Sequence, residues 1–207
     1  MCIRDSLLQG MMRRGMIIEV DHFPQWAYVD AYALLEEHDY PAAGTHGRHW
    51  EGQIYALGGI ASARWGRCHD PDVPGQSTEA LRERLDLIAS KGAYPGLVFG
   101  FDFNGFAGVP GPRFGDEGCG PDQPNPIAYP FDSYAGDVRF TAPAVGERAI
   151  DFNTEGMVHI GLLPELLHSF SLDAPGAPEV EALYRGAEAY IRMWEKAEAR
   201  AATMGAD

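Results

Sequence analysis

The chain has 207 residues, of which 45% are hydrophobic and 22% charged, so it falls in the ordinary globular class and can bury a core. A formal charge of −14 leaves no basic stripe to neutralise phosphates, which argues against nucleic acid and anionic membrane surfaces as partners and leaves a small molecule or peptide. No apolar run approaches the roughly 20 residues needed to span a bilayer. Cys2, Cys68 and Cys119 are an odd set without CxxC spacing; they define no zinc finger and no disulfide framework, although a Cys68 to Cys119 bridge stays open.

The opening MCIRDS reads like a translated adapter scar, so residues 1–15 are expected to be scar and linker and 16–207 one domain. Met16 to Asp21 is a β-branched run that predicts a strand. A helical pattern follows over 27–38, with Ala31, Leu34 and Leu35 on one stripe. The next strand, 41–45, is poor in propensity and is expected because the alternation demands it. A helical turn or two from Gln53 leads to a third strand over 59–63. Ser77 or Thr78 is then the expected cap of an amphipathic helix over 79–91 that Gly92 stops. Residues 96–101 make the strongest predicted strand, and strands alternating with helices in this way predict a parallel sheet covered by helices.

From 104 to 155 the pattern breaks into a Gly- and Pro-rich insertion in which Val138 to Thr141 pairs with Glu147 to Phe152 as a predicted hairpin. Arg113, Asp116, Asp132 and His159, in or just beyond it, are candidates for a pocket mouth or for ordinary solvated positions. Two helices are predicted to close the chain, 162–170 and 179–201. The second should bury Val180, Leu183, Tyr184, Ala187 and Tyr190 or Ile191. His69 and His168 are expected to be exposed.

Three residues stand where α/β proteins do chemistry. Strand parity puts Ile18, Val20 and His22 on one face, with His22 at the carboxyl end. His46 ends the second strand, and two histidines on adjacent strand ends can share a metal. Asp102 ends the strand 96–101, with Gly100 leaving room beneath its carboxylate, in a position suited to an oxygen ligand or proton shuttle. Each has a plainer reading, as a loop histidine or, for Asp102 before Phe-Asn-Gly, as a turn former.

Taken in order, MRRGMIIEVDH, PAAGTHGRHW, FGFDFNG, Gly156 followed by Pro164-Glu165-Leu166, and EALYRGAEAYIRMWEKAE resemble successive motifs of the membrane dipeptidase family (peptidase M19), metal-dependent hydrolases of the amidohydrolase-like class. The resemblance runs over residues 11–200. It departs at Thr45-His46-Gly47, where the family has Ser-His-Ser, at Asn104, where it has a second acid, and at Gly186-Ala187, where it has Gly-Asn. It implies an α/β fold, the C-terminal half of a TIM (β/α)8 barrel of about four β/α units with a long insertion after the last strand. The front half, with its His-x-Asp pair and bridging glutamate, is expected to be missing and the piece alone inactive.

The implied activity is cleavage of dipeptides or related small amides by a metal-activated hydroxide. Zinc, two ions in the complete protein, is the implied cofactor, with His22 and His46 as ligands and Asp102 as the catalytic acid/base. Arg48, Arg67 and His159 are candidate substrate-binding residues. Two alternatives stand beside this: a non-catalytic sugar- or peptide-binding barrel derived from such an enzyme, and a phosphoester or lactone hydrolase on a similar metal centre. Open strand edges in a half barrel would favour a homodimer. Secreted, periplasmic and cytoplasmic locations all fit the composition.

Overall fold

The computed structural model describes residues 3–65, 76–100, 102, 110–115, 118 and 125–205. The three cysteines, Arg67, His69 and Asp116 lie outside the described residues. The fold is mixed α/β and divides into two compact units. The first comprises Met1–Arg64, Glu83–Gly100 and Arg185–Asp207, and the second Trp65–Arg82 and Phe101–Tyr184. No closed barrel is formed among the described residues, and none of their helices is long and apolar enough to cross a membrane.

In the first unit three parallel strands, β1 (Ile18–Glu19), β2 (Ala42–Gly44) and β3 (Ile60–Ala61), pair in the order β1-β2-β3. Ile18 faces Ala42 and Ala43 faces Ile60 across the ladder. The helix α1 (Ile3–Met12) occupies the segment expected to be scar and linker. It buries Leu8 and Met12 and packs on β1 and on two later helices, α2 (Tyr28–Glu37) and α8 (Gly186–Thr203). α2 buries Tyr28, Ala31, Tyr32 and Leu35, an i, i+3, i+4, i+7 stripe. α3 (Glu51–Ala56) and α4 (Glu79–Ser90) follow in chain order, and Gly92 at φ 65° ends the latter as expected.

β2 is a strand despite its small residues because of what lies against it. A Cβ on Gly59 would stand 2.1 Å from the Ala42 carbonyl oxygen, and one on Gly44 would stand 2.9 Å from Ile54. Close approach of neighbouring chain, not intrinsic propensity, selects Ala-Ala-Gly here. Over its described residues, 96–100, the predicted strand is not formed as such. It contributes a single parallel bridge, Ser62 to Val98. Ala63 donates its N–H to Val98 O at 2.8 Å, but Gly100 N–H is taken by the Ser62 hydroxyl, which ends the ladder.

The predicted closing helix is two. α7 (Pro178–Leu183) ends before α8 begins, and α8 buries Ala189, Met193 and Ala197 while leaving Ala187, Tyr190 and Ile191 exposed. The start of α8 lies so close to the chain before Val98 that a Cβ on Gly186 would meet Leu97 O at 2.5 Å. That approach sets the helix orientation and moves the buried stripe off the expected one.

An ionic clasp joins the turn after α2 to α8: Asp39 accepts from Lys196 Nζ at 2.7 Å and from the Arg200 guanidinium. Burial works to raise the Asp39 pKa, but hydrogen bonds and charge from Lys196 and Arg200 outweigh it and hold the carboxyl below its usual value. A carboxyl depressed in the folded state contributes stability above its unfolded pKa, near 3.8, and loses it as pH falls through the lowered folded value. Asp39→Asn should therefore lower stability at pH 7 and flatten the acid limb of the stability curve below about pH 4. Urea midpoints measured against pH check this, and parallel acid limbs in variant and wild type would contradict it.

The second unit contains two small antiparallel hairpins, β4 (Phe131–Asp132) with β5 (Arg139–Phe140) and β6 (Ala144–Val145) with β7 (Arg148–Ala149). They replace the single predicted hairpin: each predicted strand pairs with a nearer partner across its own turn, at Gly136 and Gly146, both at positive φ. α5 (Phe152–Glu155) is capped by Asp151, and α6 (Leu163–Asp173) starts with Pro164 in its first turn. Ser77 and Thr78, the expected cap, directly precede α4. They sit in a 3-10 turn, buried, and donate to Asp173 at 2.7 Å and Glu179 at 3.1 Å.

Candidate functional site

β1 and β2 end side by side because they are parallel neighbours, which brings His22 and His46 to the same end of the sheet. The strand does not continue to His22. After Glu19 one more ladder bond forms, Val20 N–H to Ala43 O at 2.9 Å, and the chain then turns, with Phe23 N–H bonded to Val20 O. Ile18 and Val20 are buried as parity requires, whereas His22 stands exposed on that turn.

Glu19 organises the turn. Its carboxylate accepts the backbone N–H groups of Asp21 at 3.0 Å and His22 at 3.2 Å, and the Thr45 hydroxyl at 2.9 Å. Its Oε2 also lies 2.8 Å from Nδ1 of His22. Partial burial would raise the Glu19 pKa, but the bonds from His22, Thr45 and Asp21 outweigh it and lower the value, so the group is ionised at neutral pH. An ionised carboxylate only accepts, so His22 Nδ1 carries the proton and donates it. In the neutral tautomer of that ring, Nε2 is the lone-pair nitrogen.

That nitrogen lies 3.1 Å from Nε2 of His46, with the rings edge to face. His46 is held in turn by Asp21, whose Oδ2 accepts the His46 backbone N–H at 2.7 Å. Asp21 is 3% exposed, and its Oδ1 has no hydrogen-bond partner among the described residues. The Asp21 backbone carbonyl accepts the Tyr28 hydroxyl at 3.1 Å. A Cβ on Gly44 would come 3.3 Å from Asp21 Oδ2, so the small residue at that strand end makes room for the acid. Two imidazoles thus converge, each steadied by a carboxylate: Glu19 on the far ring nitrogen of one, Asp21 on the main chain of the other.

The other candidates are distributed differently. Arg48 is exposed and close enough to Tyr28 to lower its hydroxyl pKa, against the larger upward effects of burial and of Asp21 and Glu19. Asp102 belongs to the second unit, is exposed, and has a left-handed backbone at φ 52°, a conformation that Asp tolerates better than most residues. Gly100 does not serve to clear space beneath Asp102. It admits the Thr45 main chain, whose carbonyl oxygen would lie 1.7 Å from a Cβ placed there.

His159, also in the second unit, accepts the Gly161 N–H at its Nδ1 and has a buried Nε2 without a hydrogen-bond partner among the described residues, near the buried Glu165. Arg67 and Asn104 lie outside the described residues. Arg113 is neither solvated nor at a pocket mouth: it is buried and paired with Asp173. His168 is half-buried and stacked on Phe131.

No protein-family model, curated protein or solved structure matches the chain.

Glu19, Asp21 and Thr45 are the site residues that residue-by-residue reading did not single out. Alternation at β1 points toward the histidine and its buried neighbours, and gives no sign that the chain turns back so that Glu19 reaches residues 21, 22 and 45. The available signal was two acids within three residues of a histidine at a strand end.

Proposed function

We propose that the chain belongs to a metal-dependent hydrolase resembling the membrane dipeptidases, in which β1, β2, β3 and the Val98 segment are consecutive units of a (β/α)8 barrel, and that it acts on dipeptides or related small amides. One observation carries this reading: the Nε2 atoms of His22 and His46 converge to 3.1 Å at the carboxyl ends of adjacent parallel strands.

The donor set suits zinc. Imidazole nitrogens sit about 2.0–2.1 Å from the ion, which places two of them about 3.3–3.4 Å apart on a tetrahedron, and the two rings need only a small adjustment. Glu19 supplies the carboxylate–histidine contact that fixes the tautomer and strengthens a ligand. Among the described residues no group of three or more His, Cys, Asp or Glu side chains is gathered for a metal, so His22 and His46 are assigned as two ligands of a larger set. A zinc ion held there would supply Lewis acidity that lowers the pKa of bound water towards neutrality.

The chain's own residues position the ion and the proton. Glu19 keeps His22 Nδ1 protonated, Asp21 fixes the backbone of His46, and Arg48 offers a cation to a substrate carboxylate. Asp102 keeps the role of acid/base toward the leaving amine from the motif around it. Two zinc ions are proposed for the complete site, with these histidines on one of them.

Zinc or cobalt titration of the protein, followed by a dipeptide panel, tests the reading. Wild type should bind metal, His46→Ala should abolish that binding, and Glu19→Gln should weaken it by about 10- to 100-fold. Absence of metal binding with both histidines intact would sink the proposal. Metal binding without turnover of any dipeptide would favour a binding protein over a hydrolase.

A further inference from the structure

The second unit holds a cavity of about 390 Å³, in the size range of small-molecule pockets, and none of its lining residues belongs to the His22–His46 site. Its walls are the β4–β5 hairpin, the first half of α6 and Tyr184. Aromatic faces dominate. Phe131 lies between Phe140, at 5.2 Å between ring centroids, and His168, stacked at 4.2 Å and 2°. Tyr134 stacks on Tyr184 at 3.9 Å and 13°.

The polar groups around the cavity are few and of one sign. Asp132 and Asp137 line it, and among the described residues no Lys or Arg does. Its hydroxyls are engaged: Ser133 Oγ donates to Asp137 at 2.8 Å, and Tyr134 OH donates to Glu181. Arg139 stands 3.7 Å from Asp132 with both side chains more than 60% exposed, a loose pair that water screens. Burial, and then the Arg113 charge, push the His168 pKa down, which leaves that ring neutral at pH 7.

This lining discriminates among ligand classes. An anion would meet two carboxylates and no cation. A sugar would find ring faces but hydroxyls already committed to carboxylates. A cation clothed in alkyl groups is suited to both features, because ring faces attract it through their quadrupoles and the carboxylates through charge, while it needs no acceptor or donor of defined direction. We propose that this cavity binds an alkylated ammonium cation, such as a quaternary ammonium on a small organic body. The site is independent of the metal-site reading.

Calorimetric titration of the whole protein with choline, and with its uncharged isostere 3,3-dimethylbutan-1-ol, separates charge recognition from apolar filling. Choline should bind roughly tenfold or more tightly than the isostere. Asp132→Asn combined with Asp137→Asn changes two exposed positions and keeps an oxygen for the Ser133 hydroxyl, so the fold is retained. It should erase most of that preference. Phe140→Leu should weaken choline binding as well. Equal binding of the isostere, failure of choline to bind, or a preference that survives the double Asp variant would each overturn the proposal.

Discussion

Gly100→Ala should destabilise the first unit and degrade the histidine pair together. The added Cβ would stand 1.7 Å from the Thr45 carbonyl oxygen and 2.8 Å from its carbon, so the main chain immediately before His46 has to move. Overpacking of this kind costs about 1–3 kcal/mol, and more where backbone is the obstacle. Gly92→Ala is the informative comparison. That glycine has positive φ but nothing within 4 Å of its added Cβ, so only backbone strain of about 1–2 kcal/mol should appear there. Urea unfolding together with zinc titration reads both effects. Gly100→Ala should lose stability and metal affinity, and Gly92→Ala stability alone; unchanged zinc affinity in Gly100→Ala would show that the strand end does not position His46.

Arg113→Met should be the most damaging single change in the second unit. The guanidinium donates to Asp173 Oδ1 at 2.8 Å, to the Ser169 carbonyl at 3.2 Å and hydroxyl, and to Asn125 O and Oδ1 at 3.0 and 2.9 Å. Both charged side chains are 2% exposed. Removing the cation leaves the Asp173 carboxylate buried without its counter-charge, with the Ser77 hydroxyl still donating to it, and breaking a buried pair from one side costs about 3–5 kcal/mol. Arg113→Met with Asp173→Leu should recover much of that loss, since neither charge then remains to be desolvated. A double variant as unstable as the single one would show that the guanidinium acts through its bonds to Ser169 and Asn125, not through the ion pair.

Periodicity made a large part of the first unit legible. The β-branched run at Ile18 and the stripe Ala31–Leu35 need only local alternation and the 3.6-residue repeat to be read. The weak strand 42–44 was reached through the order of elements alone, and close packing against Gly59 and Ile54 explains why Ala-Ala-Gly occupies it. Local patterns misled where a distant group took over a backbone bond. The apolar run 96–101 looks like a central strand, but the Ser62 hydroxyl captures Gly100 N–H and leaves one bridge. Ser77 and Thr78 have the composition of a helix cap, and local pattern gave no sign that their hydroxyls also donate to Asp173 and Glu179, roughly a hundred positions away in the chain. Arg113 sits in a Gly- and Pro-rich stretch that reads as solvated loop, yet it is buried and bonded to three distant residues, Asn125 and, on α6, Ser169 and Asp173.

By itself the sequence determined the α/β alternation at the start of the chain, its acidic character, and the placing of His22 and His46 after neighbouring strands. Those follow from local side-chain pattern and composition, which need no partner elsewhere in the chain. Only the tertiary structure decided that Glu19 and Asp21 hold the two histidines, that Gly100 exists for the Thr45 main chain, and that a ring-walled cavity forms between the β4–β5 hairpin and α6. Each of these depends on which atoms from separate segments come within hydrogen-bonding or van der Waals distance, and one-dimensional spacing carries no record of that.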